Sequence, residues 1–307
     1  MKLLIVGGSL AGIYLAYRLL SQRTNIDITI IDPRPYTEFR LGIPMAFVGL
    51  VSFEDLLFYY KDMSRITHIG EEPVRIDKNG VFTSAGTRYK GDVIVVAIDA
   101  LRIGPPSFST VEEAELLYKL AERANAVRFV VDVTIPPYEL QDIAIAIKTA
   151  WPRKDVSIHV LSAPQTPLLN VRRLAIFGIE VSDTPPPDLG EELHVEVPSL
   201  EPHPLARGLY VGPLYETQYS GIYLIGETSL IKMGVFPTPL AILQQTALLS
   251  DLLLSSGGYV ELDPLESEEP FLQITTSASL AEIPLIALKS VYNIWADEIL
   301  GVLGWEK

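Results

Sequence analysis

The chain opens on a short unbroken apolar run, KLLIV at 2–6, which stops at Gly7 and Gly8. A run of this length ended by glycine reads as a strand buried on both faces of a parallel sheet. From Ala11 to Leu20 the apolar residues recur at helical spacing, and ITIID at 28–32 is a second buried run. Strand, glycine turn, helix and strand make one right-handed βαβ unit, so the pattern predicts an α/β fold with a doubly wound parallel sheet.

Residues 35–72 are mixed in pattern, with FEDLLFYYKD at 53–62 helix-like. PVRID, GVFTS and DVIVVA between 73 and 97 read as short strands, the first two joined by Lys78-Asn79-Gly80, where Asn-Gly supplies the positive φ values of a tight turn. IGPPS at 103–107 is a hinge by its prolines. A helix (TVEEAELLYKLAERAN), a strand (VRFVVDV), a helix from Tyr138 to Trp151 and a strand (VSIHVLS) then form a second βαβ-like unit. Extended segments follow the proline-rich SDTPPPDLG, then the glycine-ended strand GIYLIGE at 221–227 and an apolar helix from Pro239 to Leu254. The expected architecture is two three-layer Rossmann-like nucleotide-binding domains, the second (106–205) inserted in the first (1–105 and 206–262), with a C-terminal segment at 263–307. In that segment Leu288, Val291, Tyr292, Trp295, Ile299 and Val302 share one helical face. The face lacks the basic border of an interfacial helix, so it is expected to pack on the body or on a second copy in a homodimer.

Composition narrows the function. With 307 residues, 48% of them hydrophobic, and a net charge of −14, the chain is a globular protein without the basic face that nucleic acid or an anionic membrane requires. No stretch approaches the roughly 20 apolar residues of a spanning helix, and no cleavage-site pattern follows the first strand, so a cytoplasmic location is expected. There is no cysteine, which removes thiolate metal sites and redox dithiols. His68, His159, His194 and His203 show no ligand spacing, so no metal is expected.

GGSLAG at 7–12 sits where strand meets helix. Gly7, Gly8 and Gly12 permit the tight turn and close strand–helix packing, and Ser9 replaces the middle glycine with a hydroxyl able to donate to phosphate. Leu10 and Ala11 begin the helix whose free amides and dipole face a pyrophosphate. Asp32, at the end of the second strand, stands where a carboxylate accepts from the adenosine ribose.

These segments resemble the two-dinucleotide-binding-domain flavoproteins, the superfamily of sulfide:quinone oxidoreductase, flavocytochrome c sulfide dehydrogenase and type II NADH dehydrogenase. The resemblance implies FAD as cofactor, with Asp32 on the ribose and Pro33 and Arg34 near the adenine. GDVIVVAID resembles the family strand ending in Ala-Thr-Gly, matching at Ala97 and departing at Ile98 and Asp99. TQYSGIYLIGE resembles the later FAD motif, with Gly226 matching and Glu227 in place of the aspartate that bonds the ribityl chain. The helix beginning at Thr238 and Pro239 would aim the amides of Leu240 and Ala241 at the flavin pyrimidine. Pro44 and Val74 complete the implied cofactor contacts.

NAD-using members carry a second glycine loop in the middle domain. Here VTIPPYELQD offers Pro136 and Pro137 in its place, so no NAD(P)H site is expected. Sulfide chemistry by cysteine persulfide is excluded. Glu139 reads either as a proton relay or as a first-turn helix acid, and Lys232 either as a flavin-side cation or as a solvated lysine. Two functions stand: an FAD-binding oxidoreductase passing electrons from a small donor to a quinone, oxygen or protein acceptor, or a catalytically inactive flavin-binding or structural subunit of a redox complex. A degenerate fold holding no cofactor is the third reading, resting on Ser9, Ile98, Asp99 and Glu227 as losses.

Overall fold

The computed structural model describes residues 1–22, 25–105, 107–162, 169–186, 190–255 and 292–305. Its first sheet is built from β1 (Lys2–Val6), β2 (Asp27–Ile31), β5 (Thr67–Ile69), β9 (Val93–Val96) and β16 (Ile222–Leu224), in the order β16-β9-β1-β2-β5 and parallel throughout. Leu3 to Val6 are fully buried because apolar layers cover both faces of this sheet. On one face lie α1 (Leu10–Gln22) and α7 (Pro239–Leu254), tied by Arg18 Nε donating to Ser250 Oγ at 2.7 Å and by an Arg18–Asp251 ion pair at 2.8 Å. The other face packs on the antiparallel ribbon of β6 (Pro73–Asp77), β7 (Gly80–Thr83) and β8 (Arg88–Tyr89).

A second parallel sheet has the order β13-β12-β11-β14, formed by β11 (Ala126–Val131), β12 (Asp155–Val160), β13 (Glu180–Ser182) and β14 (Glu192–Glu196). It carries α3 (Val111–Arg123), α4 (Leu140–Ala150) and α5 (Val171–Ile176). Thr110 caps α3, its side chain accepting from Glu113 N. Antiparallel strands β10 (Leu101–Ile103) and β15 (Ser199–Glu201) join the two units where the sequence suggested a hinge. The fold is thus mixed α/β with parallel sheets of Rossmann-like form.

Three local expectations are corrected. FEDLLFYYKD is not a helix: β4 (Leu57–Tyr59) pairs antiparallel with β3 (Tyr36–Glu38), between two short 3-10 turns. Its apolar spacing instead turns Phe58 into the core, 1% exposed, against α2 (Ile43–Phe47) and its neighbours. In the β6–β7 hairpin only Gly80 has positive φ (129°), while Asn79 N is held by Asp77 Oδ1 at 2.7 Å. The middle-domain helix begins at Leu140, because Pro136 and Pro137 delay it. In the tail, Tyr292, Trp295 and Ile299 are buried in the main core, where Trp295 stacks on Phe39 at 5.0 Å; Leu288 and Val291 lie outside the described residues.

Candidate nucleotide-binding cleft

The carboxyl ends of β1 and β9 open into a cleft of about 340 Å³, where ligands bind in open α/β sheets. Gly7 has φ +96°, donates to Ile31 O at 2.9 Å, and any Cβ on it would lie 2.6 Å from Ala97 O. A Cβ on Gly12 would collide with Gly7 O, so these two glycines set the distance between strand and helix. Gly8 is required for another reason: the Tyr60 hydroxyl occupies the space its Cβ would take. Tyr60 stacks on His68 at 4.4 Å, and its buried hydroxyl has no hydrogen-bond partner among the described residues. Ser9 Oγ donates inward to Ala97 O at 2.7 Å, so it closes the turn and does not present its hydroxyl to a phosphate.

Asp32 is 3% exposed and lines the cleft, its two oxygens accepting from Gly8 N (2.8 Å) and Arg34 N (2.9 Å). The Arg34 guanidinium returns to Asp32 at 3.4 Å and Glu38 at 3.5 Å. At the start of α1 the amides of Leu10 and Ala11 have no intrahelical acceptor, and the first turn contains no acid. The local field there favours an anion.

The far end of the cleft is an ionic wall. Gly226 (φ +87°) lies between β16 and α6 (Glu227–Lys232) and donates to Gln245 Oε1 at 2.6 Å, and Glu227 begins α6 fully buried. Glu227 Oε1 accepts from Arg40 Nη2 (3.0 Å) and Arg102 Nη2 (3.2 Å). Its Oε2 accepts from Arg102 Nη1 (3.1 Å) and Ala100 N (3.0 Å). Arg40 also reaches Asp99 at 3.2 Å and Glu139 at 4.0 Å, and Arg102 reaches Glu139 at 3.4 Å. Burial pushes the Glu227 carboxyl up, but Arg102 and Arg40 outweigh it and hold it at about 2. Burial raises Asp99 against the pull of Arg40. Within this wall Arg102 Nε and Glu139 Oε2 are buried without a hydrogen-bond partner among the described residues.

The cleft gathers Gly7, Gly8, Ser9, Asp32, Pro33, Arg34 and Ala97. Leu10 borders a void of about 10 Å³ beside Tyr138 and Trp295, while Ala11 and Gly12 are inside α1. Glu139 joins the ionic wall and makes no capping bond to α4. The other expected residues are not among those lining the cleft. Val74 is 55% exposed, with neighbouring Pro73 at the lining in its place. Pro44 is buried in α2, and Lys232 closes α6. Thr238 caps α7 by accepting from Ala241 N, with Pro239 and Leu240 in its first turn. Arg40 and Arg102 are the residues sequence reasoning missed. Their signal was indirect: Asp99 and Glu227 are acids at the ends of apolar strands, and such acids require buried cations.

No protein-family profile matches the chain. Over 98 residues it is 33% identical to the sulfide-quinone reductase of Aquifex aeolicus, a stretch covering 30% of this chain and less than a quarter (23%) of that protein. The X-ray structure of sulfide:quinone oxidoreductase from Aquifex aeolicus superposes with a TM-score of 0.66 at 18% identity, covering 82% of this chain and 76% of that one. The fold resembles that of sulfide:quinone oxidoreductase and the related FAD pyridine nucleotide-disulfide oxidoreductases. NADH:rubredoxin oxidoreductase from Clostridium acetobutylicum gives a TM-score of 0.64 at 17% identity over 86% of this chain and 78% of that one. The NAD-dependent persulfide reductase from A. fulgidus gives 0.63 at 19%, over 84% of this chain and 60% of that chain. No helix among the described residues is long and apolar enough to cross a membrane.

FAD, implied by this fold, is tested by its two halves. The adenosine–phosphate half fits: Asp32 lies at the strand end beside the cleft, and Gly7, Gly8 and Ser9 of the turn line it. The ribityl–flavin half does not. A carboxylate offers roughly four lone-pair sites, and Glu227 already accepts from Arg40 Nη2, Arg102 Nη2, Arg102 Nη1 and Ala100 N. Glu227 is therefore not free to bond a ribityl hydroxyl, the role its motif implied. Asp99, where the motif has glycine, is engaged with Arg40 across the same route.

Proposed function

We propose that this chain is a cytoplasmic adenine-nucleotide-binding subunit on the flavoprotein fold, in which flavin turnover has been lost. The observation that carries this reading is the saturation of Glu227 by Arg40, Arg102 and the Ala100 amide. The absence of cysteine removes thiol-based redox steps, and Pro136 and Pro137 leave the second βα turn without the amides of an NAD(P)H cradle. Its contribution is then to a protein complex, through an interface and a bound nucleotide.

A second reading is an FAD-dependent oxidoreductase serving a small donor and a quinone, oxygen or protein acceptor. The Thr238-capped start of α7 and the identity with the Aquifex sulfide-quinone reductase favour it. In that enzyme Glu139 would hold a proton beside the cofactor, and Lys232 would be a second candidate for the same role. Gel filtration after incubation with FAD separates the two. On the first reading the flavin elutes free of the protein. A stoichiometric yellow protein, reduced by light and reoxidised by a quinone or oxygen faster than free flavin, would establish the second.

A further inference from the structure

We infer that Arg34 is a displaceable cover on Asp32, an autoinhibitory contact that an entering ribose has to break. The inference rests on nucleotide binding by the glycine-loop cleft and adds how that site is guarded. Three observations carry it.

The first is the occupancy of Asp32. Each of its oxygens accepts one close backbone donor, Oδ2 from Gly8 N at 2.8 Å and Oδ1 from Arg34 N at 2.9 Å. Each then takes one distant guanidinium donor, Oδ1 from Arg34 Nε at 3.4 Å and Oδ2 from Arg34 Nη2 at 3.5 Å. A carboxylate has roughly four lone-pair sites, so Arg34 fills the two that the backbone leaves, one on each oxygen. Those are the sites that the two adjacent hydroxyls of a ribose would take. Both residues line the cleft, and the Asp32 side chain is only 4% exposed there.

The second is the weakness of that cover. Its contacts are longer than the roughly 2.7–2.9 Å of a good charge-assisted bond. The Arg34 side chain is 37% exposed, and ion pairs this open to water add little stability. A ribose hydroxyl donating to the carboxylate at about 2.6 Å makes the stronger bond, so it displaces the guanidinium.

The third is the contrast with the ionic wall. Arg40 and Arg102 are 9% and 8% exposed and hold the fully buried Glu227 at 3.0, 3.1 and 3.2 Å. Moving either of them strands a buried charge. Arg34 moves into water instead, and Glu38, 3.5 Å from its Nη1, stays beside it as an anchor. Of the three arginines described in the lining of the cleft, Arg34 is therefore the one that yields.

Calorimetric titration of the full chain with adenosine, a ligand without charge, tests this across a salt series. Salt screens the Arg34–Asp32 attraction, the screening length falling from about 10 Å at 0.1 M to about 3 Å at 1 M. The parent should therefore bind adenosine about two- to fivefold more tightly at the higher salt. Arg34→Met removes the charge and keeps most of the bulk. At about 0.1 M salt it should bind adenosine about two- to fivefold more tightly than the parent, and it should lose the parent's gain with salt. Arg34→Gln should behave alike, with thermal melts of both variants as the check on folding. Weaker binding by the two variants, or the same salt dependence in parent and variants, overturns the cover while leaving nucleotide binding intact. Failure of parent and variants alike to bind adenosine or ADP overturns the underlying nucleotide reading, and the cover with it.

Discussion

Two strand-to-helix turns occupy equivalent places in the two sheets, and they have become opposites. After β1 the chain needs only Gly7, Gly8 and Ser9 before α1 begins, and all three line the cleft. After β11 it passes through residues 132–139, with Pro136 and Pro137, before α4 begins. This second turn contains no glycine. It carries Glu139 across to the first unit, where the carboxylate meets Arg102 and helps to close the other turn's cleft. Identical topology therefore does not carry identical function; the residues of the turn decide whether backbone amides face a ligand or a side chain is exported to a neighbour.

The largest effect that would break this contrast is at Glu227. Glu227→Ala leaves Arg40 and Arg102 facing each other in a buried site, and chemical denaturation should register a loss of about 3–5 kcal/mol. Gly7→Val comes next: its positive φ and the nearby Ala97 O should cost at least about 1–3 kcal/mol through backbone strain and abolish adenine-nucleotide binding measured by titration.

Acidity sharpens the contrast, because the two regions respond with opposite sign. Glu227 is held at about 2, below its unfolded value, so its stabilisation is complete above the ordinary carboxylate range and fades as pH falls through that range toward 2. Asp142, in the first turn of α4, is pushed by burial up to about 6 despite Arg173. Between pH 6 and its unfolded value the folded chain holds a proton that the unfolded chain has released, so this group adds stability as pH falls through 6. Thermal melts of Asp142→Asn against the parent should therefore differ most near neutral pH, with the variant more stable, and converge below about pH 4. Parallel curves across that range would remove Asp142 from the account.

Smaller effects complete the comparison. Ser9→Gly loses the bond to Ala97 O and should cost about 1 kcal/mol, with nucleotide affinity unchanged because the hydroxyl faces inward. Pro136→Gly at the other turn should cost under about 1 kcal/mol, through the entropy of the unfolded chain, and should not create NADH binding.

The parts of the molecule legible in sequence were those fixed by local rules. KLLIV reads as a strand because burial on both faces demands an unbroken apolar run. The Thr238-Pro239 start of α7 reads correctly because cap and first-turn chemistry are local. FEDLLFYYKD was misread because its helical spacing matched residues that β3 holds extended from across a hairpin. Gly8 reads in sequence as part of the tight turn alone, because Tyr60, far along the chain, gives no sign that its hydroxyl needs that space. The ionic wall joins Arg40, Arg102, Glu139 and Glu227 from four separate segments, so no local pattern encodes it.

The place of β16 bears on how the protein is made. This strand pairs with β9, but it leaves the ribosome only after the whole of the second sheet, from Ala126 to Glu196, has been synthesised. Through that interval the VIVV edge of the first sheet has no partner on one side, which is the exposed apolar edge that nascent chains must keep from pairing with one another. The inserted unit, with its parallel strands close together in sequence, has every partner it needs before then. During translation the second sheet is expected to become protease-resistant first, and the nucleotide cleft to form last, when Ile222–Leu224 docks and brings Glu227 to its arginines.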